Sequence, residues 1–489
     1  MMDRQIRVLA VAFLALFVLL FAQINYLQVF ASNRLANNPA NQRLLLDEYD
    51  VKRGAIVARD ERTVLATSVP TKGLLKFLRQ YPQGGLYGQL TGYYSLVFGR
   101  SGLEAAYNDF LSGRASELLP QNLVDEILGR PKQGASIVTT LDPRLQRVAA
   151  QSLGSLPGAV VALDPRTGDI LAMVANPRFD PNPLSSHEAA TVRTAQKKLI
   201  SDPNKPLVSR AFQELFPPGS TFKMVTASAA LEDGMNPSTL LPNPPALTLP
   251  TTTHQLHNFG DEHCLGGVAQ ITLAQAFQVS CNVVFGEVGL RLGANRLVAQ
   301  AQKFGFDEQV PFDLPFAEGS IPPAASFAGA LPAVAFSAIG QQSVGANPLQ
   351  MALVGAAIAN HGIEMAPRLV SEIRDPAGRV VKTIAPKEFG QSISARTASE
   401  LTQMMVSVVD AGTGTAAQIP GVKVAGKTGT AQTAGGKPHA WFVCFAPAPN
   451  PQIVVAVLVL NGGNLGSDAT GGHVAAPIAK AVLEAALRR

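Results

Sequence analysis

Two pairs of apolar segments lie far apart in this chain, and they constrain its fold more than any other feature. Segments 159–163 and 169–175 flank a short link containing Pro and Gly, which is typical of a hairpin turn. Segments 439–445 and 452–460 flank a proline-rich link in the same way. The helices expected between and after these pairs are 220–232, 273–292, 348–360 and 474–487. Strands at both ends with helices between them predict an α+β fold in which helices cover an antiparallel sheet.

The chain of 489 residues is long enough for two or three domains of about 150 residues each. After a polar tether at 32–50, short strand-like runs alternate with Gly and Pro up to about residue 134, with one helix expected near 104–111. This pattern predicts a small α+β module in front of the larger unit. We therefore divide the chain into residues 1–31, 32–134 and 135–489.

The N-terminus carries a targeting signal. Arg4 and Arg7 precede an apolar run over residues 8–22, which continues with polar interruptions to Ala31. The stretch approaches the ~20 residues that span a bilayer, and the preceding positive charges favour a cytoplasmic N-terminus. The alternative is a cleavable signal peptide, because Val29 and Ala31 are small enough for a cleavage site. Both interpretations place the rest of the chain outside the cytoplasm, and the first predicts a single-pass protein of the cell membrane.

The charge of the chain excludes one class of partner. The net charge of +5 is small for this length, and Lys and Arg form no dense cluster. A nucleic-acid-binding protein carries a basic patch, so no nucleic-acid partner is expected. Hydrophobic residues make up 47% of the chain and charged residues 15%, which favours a large ordered core over disorder.

The chain contains three cysteines, Cys264, Cys281 and Cys444. An oxidising compartment permits a disulfide between Cys264 and Cys281. The alternative is that Cys281 is a small buried residue and Cys264 is a free loop thiol. Cys444 lies in an apolar strand and is expected to be reduced and buried. The spacing matches no zinc or CxxC motif, so no metal site is expected.

The first chemical motif is Ser-x-x-Lys at Ser220 and Lys223, directly after Pro-Pro-Gly. That segment ends any preceding element, so Ser220 is expected to start a helix. Residues three apart share a helix face, which puts Lys223 within reach of the Ser220 hydroxyl. A serine is a weak nucleophile until a base takes its proton, and a lysine whose pKa is lowered by burial or by a second cation can do so. The alternative is a capping serine followed by a solvated lysine.

The second motif, Ser280-Cys281-Asn282, interrupts an apolar helical stretch over 274–289. Its polar side chains must be satisfied internally or face a cleft. In a cleft, the Ser280 hydroxyl could relay a proton toward a leaving amine, and the Asn282 amide could hold a substrate carbonyl. The alternative is that both residues merely interrupt a helix.

The third motif, Ala-Gly-Lys-Thr-Gly-Thr-Ala at 425–431, directly precedes the second strand pair. Its glycines let a ligand backbone lie close to this edge. Lys427 supplies a cation, and Thr428 and Thr430 supply hydroxyls for a carboxylate. The backbone N–H groups of Thr430 and Ser220 are candidates for an oxyanion hole. The alternative is a glycine-kinked edge strand with a solvated lysine.

The order and separation of these motifs resemble those of the penicilloyl serine transferases, and specifically of class B penicillin-binding proteins. Further segments that resemble the family lie at 53–56, 102–104, 162–168, 204–211, 339–341, 348–352, 412–415 and 439–442. Together they cover nearly the whole chain after the N-terminal apolar run. The resemblance implies a penicillin-binding transpeptidase domain at 135–489, carried on a non-penicillin-binding pedestal at 32–134.

The same resemblance implies a D,D-transpeptidase that cross-links peptidoglycan during cell division. It assigns catalysis to Ser220 as nucleophile, Lys223 as base, Ser280 as proton relay and Lys427, and it assigns substrate binding to Asn282, Thr428, Gly429 and Thr430. This chemistry requires no metal or cofactor. The partners it implies are peptidoglycan stem peptides, β-lactam antibiotics, the membrane and other division or wall-synthesis proteins.

Two other functions stay open at this point. A hydrolase on the same scaffold, a carboxypeptidase or a β-lactamase, would release its acyl group to water. A non-catalytic protein that binds partners or senses β-lactams would have lost catalytic side chains, whereas Ser220, Lys223 and Lys427 are all present.

Overall fold

The computed structural model of this protein describes residues 2–30, 48–433 and 435–488. Its α-helices are α1 Met2–Asn25, α2 Gly88–Thr91, α3 Gly102–Ala106, α4 Asn108–Leu111, α5 Leu119–Ile127, α6 Pro143–Leu153, α7 Ala189–Ser201, α8 Lys223–Glu232, α9 Leu273–Gln278, α10 Asn282–Lys303, α11 Leu331–Ala338, α12 Pro348–Ala359, α13 Ala395–Ala411 and α14 Ala476–Leu487. Its β-strands are β1 Ile56–Val57, β2 Val64–Pro70, β3 Phe77–Gln80, β4 Tyr94–Ser95, β5 Gly99–Arg100, β6 Ser136–Thr139, β7 Gly158–Leu163, β8 Ile170–Asn176, β9 Leu240–Pro242, β10 Ala246–Thr248, β11 Gln255–His257, β12 Gln270–Thr272, β13 Ile363–Met365, β14 Val370–Arg374, β15 Val380–Thr383, β16 Glu388–Gln391, β17 Ala425–Ala431, β18 His439–Ala446 and β19 Ile453–Val459. Most of the predicted tether at 32–50, and the predicted cleavage signal at Ala31, lie outside the described residues.

The N-terminal apolar run forms the long helix α1. The most apolar 18 residues of the stretch Arg4–Gln28 have a mean hydropathy of 2.5, and none of them is buried against the rest of the described chain. Its length and composition suffice to cross a membrane. Among the described residues it is the one helix that meets both conditions.

The two predicted hairpins meet in one five-stranded antiparallel sheet of order β17-β18-β19-β7-β8. Strand β19 near the end of the chain pairs with β7, and Val454 lies opposite Leu163. Every residue of β7, β8 and β19 is buried, because helices cover both faces of the sheet. Helices α6 and α14 pack on one face and α12 packs on the other. The predicted antiparallel sheet covered by helices is confirmed.

A second sheet joins the front of the chain to a much later segment. Its six strands have the order β15-β14-β6-β1-β2-β3. Strand β1 pairs in parallel with β6, and β6 pairs antiparallel with β14. Strand β6 begins directly after the predicted boundary at residue 134, and β14 and β15 belong to the predicted transpeptidase domain. The division of the chain stays a proposal, but the two parts share one hydrogen-bonded ladder.

The prediction of one continuous helix over 273–292 is wrong, because the chain is broken in its middle. Three residues separate α9 from α10. Among them, Ser280 has a φ of 60°, in the left-handed region that a helix excludes. The first N–H groups of α10 are bound by the side chain of Asn258, whose Oδ1 accepts from Asn282 at 2.8 Å and from Val283 at 3.2 Å. An acceptor on a distant loop therefore starts a new helix where periodicity alone predicts none.

Candidate active site

A cleft of about 930 Å³ opens beside β17, the edge strand of the five-stranded sheet. Ser220, the turn between α9 and α10, and the side chains of Thr428 and Thr430 all line it. Another wall is the loop over 255–265. The fold therefore brings the three predicted motifs to one cavity, although they are far apart in sequence.

Ser220 lies on a 3₁₀ turn, Gly219–Phe222, that leads into α8. The indole Nε1 of Trp441 donates to the Pro217 carbonyl at 2.9 Å, just before the turn. The first N–H of the turn donates to the Gly340 carbonyl at 2.9 Å. A Cβ on Gly340 would lie 2.2 Å from a carbonyl oxygen of the turn, so only glycine permits this approach. The serine is therefore fixed at the cleft between a strand and a loop.

Lys223 is fully buried three residues after Ser220, so the alternative of a solvated lysine is wrong. Its Nζ donates to the Ser280 carbonyl at 2.7 Å and to Asn282 Oδ1 at 2.7 Å. Burial lowers the pKa of Lys223 well below its usual value, and the nearby charge of Lys427 lowers it further. Both effects favour the neutral amine, which is the form that can accept a proton.

Lys427 approaches the same turn from strand β17 and is also fully buried. Its Nζ donates to Ser280 Oγ at 2.9 Å and to the Thr428 carbonyl at 3.0 Å. Burial lowers the pKa of Lys427 to about 7. The Ser280 hydroxyl also lies 3.4 Å from the Nζ of Lys223. A hydroxyl can donate and accept at once, so Ser280 is placed to pass a proton between two amines.

Strand β17 presents alternate residues to the cleft and to the protein. Thr428 and Thr430 line the cleft. Gly429 lies between them, and a Cβ there would come 2.9 Å from Thr221 Cγ2 and 3.0 Å from the Pro218 carbonyl oxygen. The missing side chain of Gly429 therefore lets the strand pack against the serine turn. The sequence suggested only that it leaves room for a ligand.

Sequence reasoning missed two polar residues of this site. Asn258 holds the start of α10 and so fixes the turn that carries Ser280. Thr413 Oγ1 lies 2.5 Å from Thr428 Oγ1, where it orients that hydroxyl. Thr413 belongs to a segment that resembles the family, so a signal for it was present. No motif marks Asn258, because its role depends on a contact between distant segments.

Cys264 and Cys281 are joined by a disulfide, with their Cα atoms 5.9 Å apart. That separation lies in the range that disulfide geometry allows. The bond ties the 255–265 wall of the cleft to the turn that carries Ser280. Cys444 is free and fully buried on β18, and burial raises the pKa of its thiol.

Peptide mapping of the native protein without reductant is expected to give a linked peptide pair containing Cys264 and Cys281. Cys444 should resist alkylation until the protein is denatured, because its thiol is buried and protonated. Prior reduction, as the control, should abolish the linked pair, and denaturation after reduction should make all three cysteines alkylatable. Recovery of a linked peptide containing Cys444 from unreduced protein would contradict this pairing.

Two successive parts of the sequence match known protein families. Residues 53–137 match the dimerisation domain of penicillin-binding protein A, and residues 158–484 match the penicillin-binding protein transpeptidase domain. The second match covers more than half of the chain and contains all three motifs of the cleft. The first match coincides with most of the front module.

Full-length relatives agree with these matches. The chain is 42% identical to the peptidoglycan D,D-transpeptidase PbpA of Mycolicibacterium smegmatis, over 100% of this chain and 99% of that protein. It is 40% identical to PbpA of Mycobacterium tuberculosis over the same shares. The ceftriaxone acyl-enzyme complex of penicillin-binding protein A from M. tuberculosis superposes with a TM-score of 0.86 at 40% identity, covering 91% of this chain and 100% of that one.

Proposed function

The chain belongs to the penicillin-binding protein transpeptidases, and on that premise we propose that it cross-links peptidoglycan stem peptides through an acyl-enzyme on Ser220. Its enzyme class, D,D-transpeptidase, follows from the family and from its relatives. One observation carries the proposed mechanism. Lys223 and Lys427 converge on Ser280, in the wall of the cleft that Ser220 lines.

In the proposed acylation, the Ser220 oxygen attacks the carbonyl carbon of the peptide bond between two D-alanine residues. Neutral Lys223 takes the proton of the hydroxyl. The backbone N–H groups of Ser220 and Thr430 stabilise the oxyanion that forms. The proton then passes from Lys223 through Ser280 to the leaving nitrogen. The C–N bond breaks, D-alanine leaves and the remaining peptide is esterified to Ser220.

Substrate binding is proposed for the residues around this centre. The hydroxyls of Thr428 and Thr430 bind the terminal carboxylate of the substrate, which the positive potential of Lys427 also attracts. The backbone of Gly429 pairs with the extended peptide. Asn282 donates one amide hydrogen to the His257 carbonyl at 3.2 Å, and its second amide hydrogen binds a substrate carbonyl.

The acyl-enzyme is then resolved by an amine. The amine of a neighbouring stem peptide attacks the ester carbonyl and gives a proton to Lys223. Lys223 passes that proton to the Ser220 oxygen, which leaves as the new peptide bond forms. One D-alanine is released for each cross-link, and the free serine is regenerated. The step requires that water hydrolyses the acyl-enzyme more slowly than the amine reaches it.

The proposed location of this reaction is the outer face of the cell membrane. Helix α1 would hold the chain there as a single-pass anchor, with Arg4 and Arg7 on the cytoplasmic side. The growing wall supplies both substrate peptides in that compartment. We extend the proposal to septal wall synthesis beside other division proteins, the role that the family resemblance of the sequence implies.

A hydrolase on the same scaffold would need a base that activates water beside the ester. The carboxylates among the described residues that line the cleft are Asp261 and Glu262. Both are exposed on the loop wall, and Asp261 lies 3.3 Å from His257. Neither carboxylate hydrogen bonds to Lys223 or Ser280. The site therefore favours transfer to an amine over hydrolysis.

We expect the penicilloyl adduct on the purified protein to persist for many minutes, because the carboxylates of the described residues that line the cleft are exposed on its loop wall. Intact-protein mass spectrometry after removal of free penicillin measures its decay. Turnover of a chromogenic cephalosporin at several molecules per second by the native enzyme would favour the hydrolase instead. The Ser220→Ala variant supplies the background rate.

A further inference from the structure

The end of the tether packs against the tip of a hairpin in the front sheet. Tyr49, among the last residues of the tether, packs with Leu75 in a small buried cluster. Next to it, Asp50 Oδ2 lies 2.7 Å from Lys76 Nζ. Leu75 and Lys76 belong to the loop over 71–76 that joins β2 to β3. This loop therefore lies where the chain arrives from α1.

The same loop exposes an apolar side chain between two lysines. Leu74 is 97% exposed, and Lys72 and Lys76 flank it on the surface. A single exposed leucine is common on protein surfaces and does not by itself indicate a binding site. Here, however, Leu75 turns back into the protein while Leu74 turns outward, so the tip holds one apolar residue away from the module.

A second turn beside the tip repeats this pattern. The turn between β4 and β5 places Leu96 against the cluster that contains Tyr49 and Leu75. Phe98, two residues later, is 40% exposed. The surface near the tether thus combines an exposed leucine, an exposed aromatic ring and basic side chains. Protein segments that lie in the interface of an anionic bilayer share this composition.

The connection to α1 is short enough for this surface to reach the membrane. Residues 31–47 join the two, and a fully extended chain of that length spans at most about 60 Å. Lysines near a negatively charged bilayer are attracted to it. Lys76 is paired with Asp50, so Lys72 supplies the charge that makes this tip match a lipid partner better than an apolar protein surface.

We propose that the loop over 71–76, with Phe98 beside it, forms a second membrane contact in which Leu74 inserts at the headgroup boundary of an anionic bilayer. The inference rests on the proposed anchoring by α1. Such a contact adds a second point of attachment to that of a single helix. It would hold the front module, and with it the cleft, in one orientation to the membrane.

The test uses the full chain with Leu74→Cys, labelled with an environment-sensitive fluorophore. The labelled protein is reconstituted in vesicles of equal parts phosphatidylglycerol and phosphatidylcholine. We expect blue-shifted emission that a nitroxide-bearing lipid quenches. The matched control is Leu465→Cys, another exposed leucine, in the predicted transpeptidase domain, whose label should be neither shifted nor quenched. In the Leu74→Cys background, Lys72→Glu should reduce the quenching, whereas Lys387→Glu should not.

Flotation of the unlabelled protein with the vesicles separates the two proposals. If the chain floats but the label at position 74 behaves as in water, anchoring by α1 stands and the second contact is wrong. If the label responds only when native membranes replace the pure lipid, the loop contacts a membrane protein and the lipid proposal is wrong. Failure to float would overturn the anchoring itself.

Discussion

Replacement of Ser220 by alanine is expected to abolish the covalent penicillin adduct completely. The reaction requires a nucleophilic oxygen at the serine turn, and alanine supplies none. Intact-protein mass spectrometry should show the full mass of penicillin on the native chain and none on Ser220→Ala. Peptide mapping should place the adduct on the peptide containing Ser220.

The matched control for this result is Ser228→Ala, on helix α8. The Ser228 hydroxyl is buried and donates to the Met224 carbonyl at 2.7 Å, so it takes no part in the cleft. This variant should still form the adduct. If Ser220→Ala folds with an unchanged melting temperature and still binds penicillin covalently, the assignment of the nucleophile is wrong.

Lys223→Arg is expected to slow acylation by ~10²–10⁴-fold, the range typical for loss of a positioned base. Arginine keeps a positive charge but is not deprotonated at working pH. Its larger guanidinium must also fit a fully buried site in which the Lys223 Nζ makes two short contacts, to Ser280 and to Asn282. The second-order rate constant for acylation by a fluorescent penicillin measures the effect.

Lys303→Arg, at the exposed end of α10, is the matched control and should acylate at the native rate. The pH profile of the native enzyme gives an independent check. Because the pKa of Lys223 is lowered, its base function is present above that pKa and is lost as the pH falls through it. Acylation should therefore slow in acid. A Lys223→Arg enzyme with the native rate and the same profile would show that another group is the base.

The sequence predicted the central sheet well, because each of its hairpins is marked locally. Apolar runs such as 159–163, separated from the next run by a short link with Pro and Gly, identify their strands even when the pairing strand is not known. The residues of the cleft could be predicted from the sequence for a similar reason. Ser220 and Lys223 share one helical turn, and Lys427 stands in a strand that directly precedes a hairpin.

Features that depend on contacts between distant segments were not predictable in this way. The break at Ser280 is stabilised by the side chain of Asn258, which no periodicity places there. The six-stranded sheet recruits β14 and β15 from far along the chain, and their short alternating pattern says nothing about which sheet they join. The burial of Lys223 likewise follows from the surrounding fold and not from its own helix.

The shared six-stranded sheet restricts how chains of this kind can exchange parts during evolution. A recombination that replaced residues 53–139 while keeping 370–383 would pair strands from two parents along the β6–β14 ladder. Because a sheet tolerates such a mixture only where cross-strand side chains still fit, the two segments are expected to be inherited together. A functional hybrid between two such enzymes should therefore carry β1 to β3, β6, β14 and β15 from one parent, even though its catalytic helices come from the other.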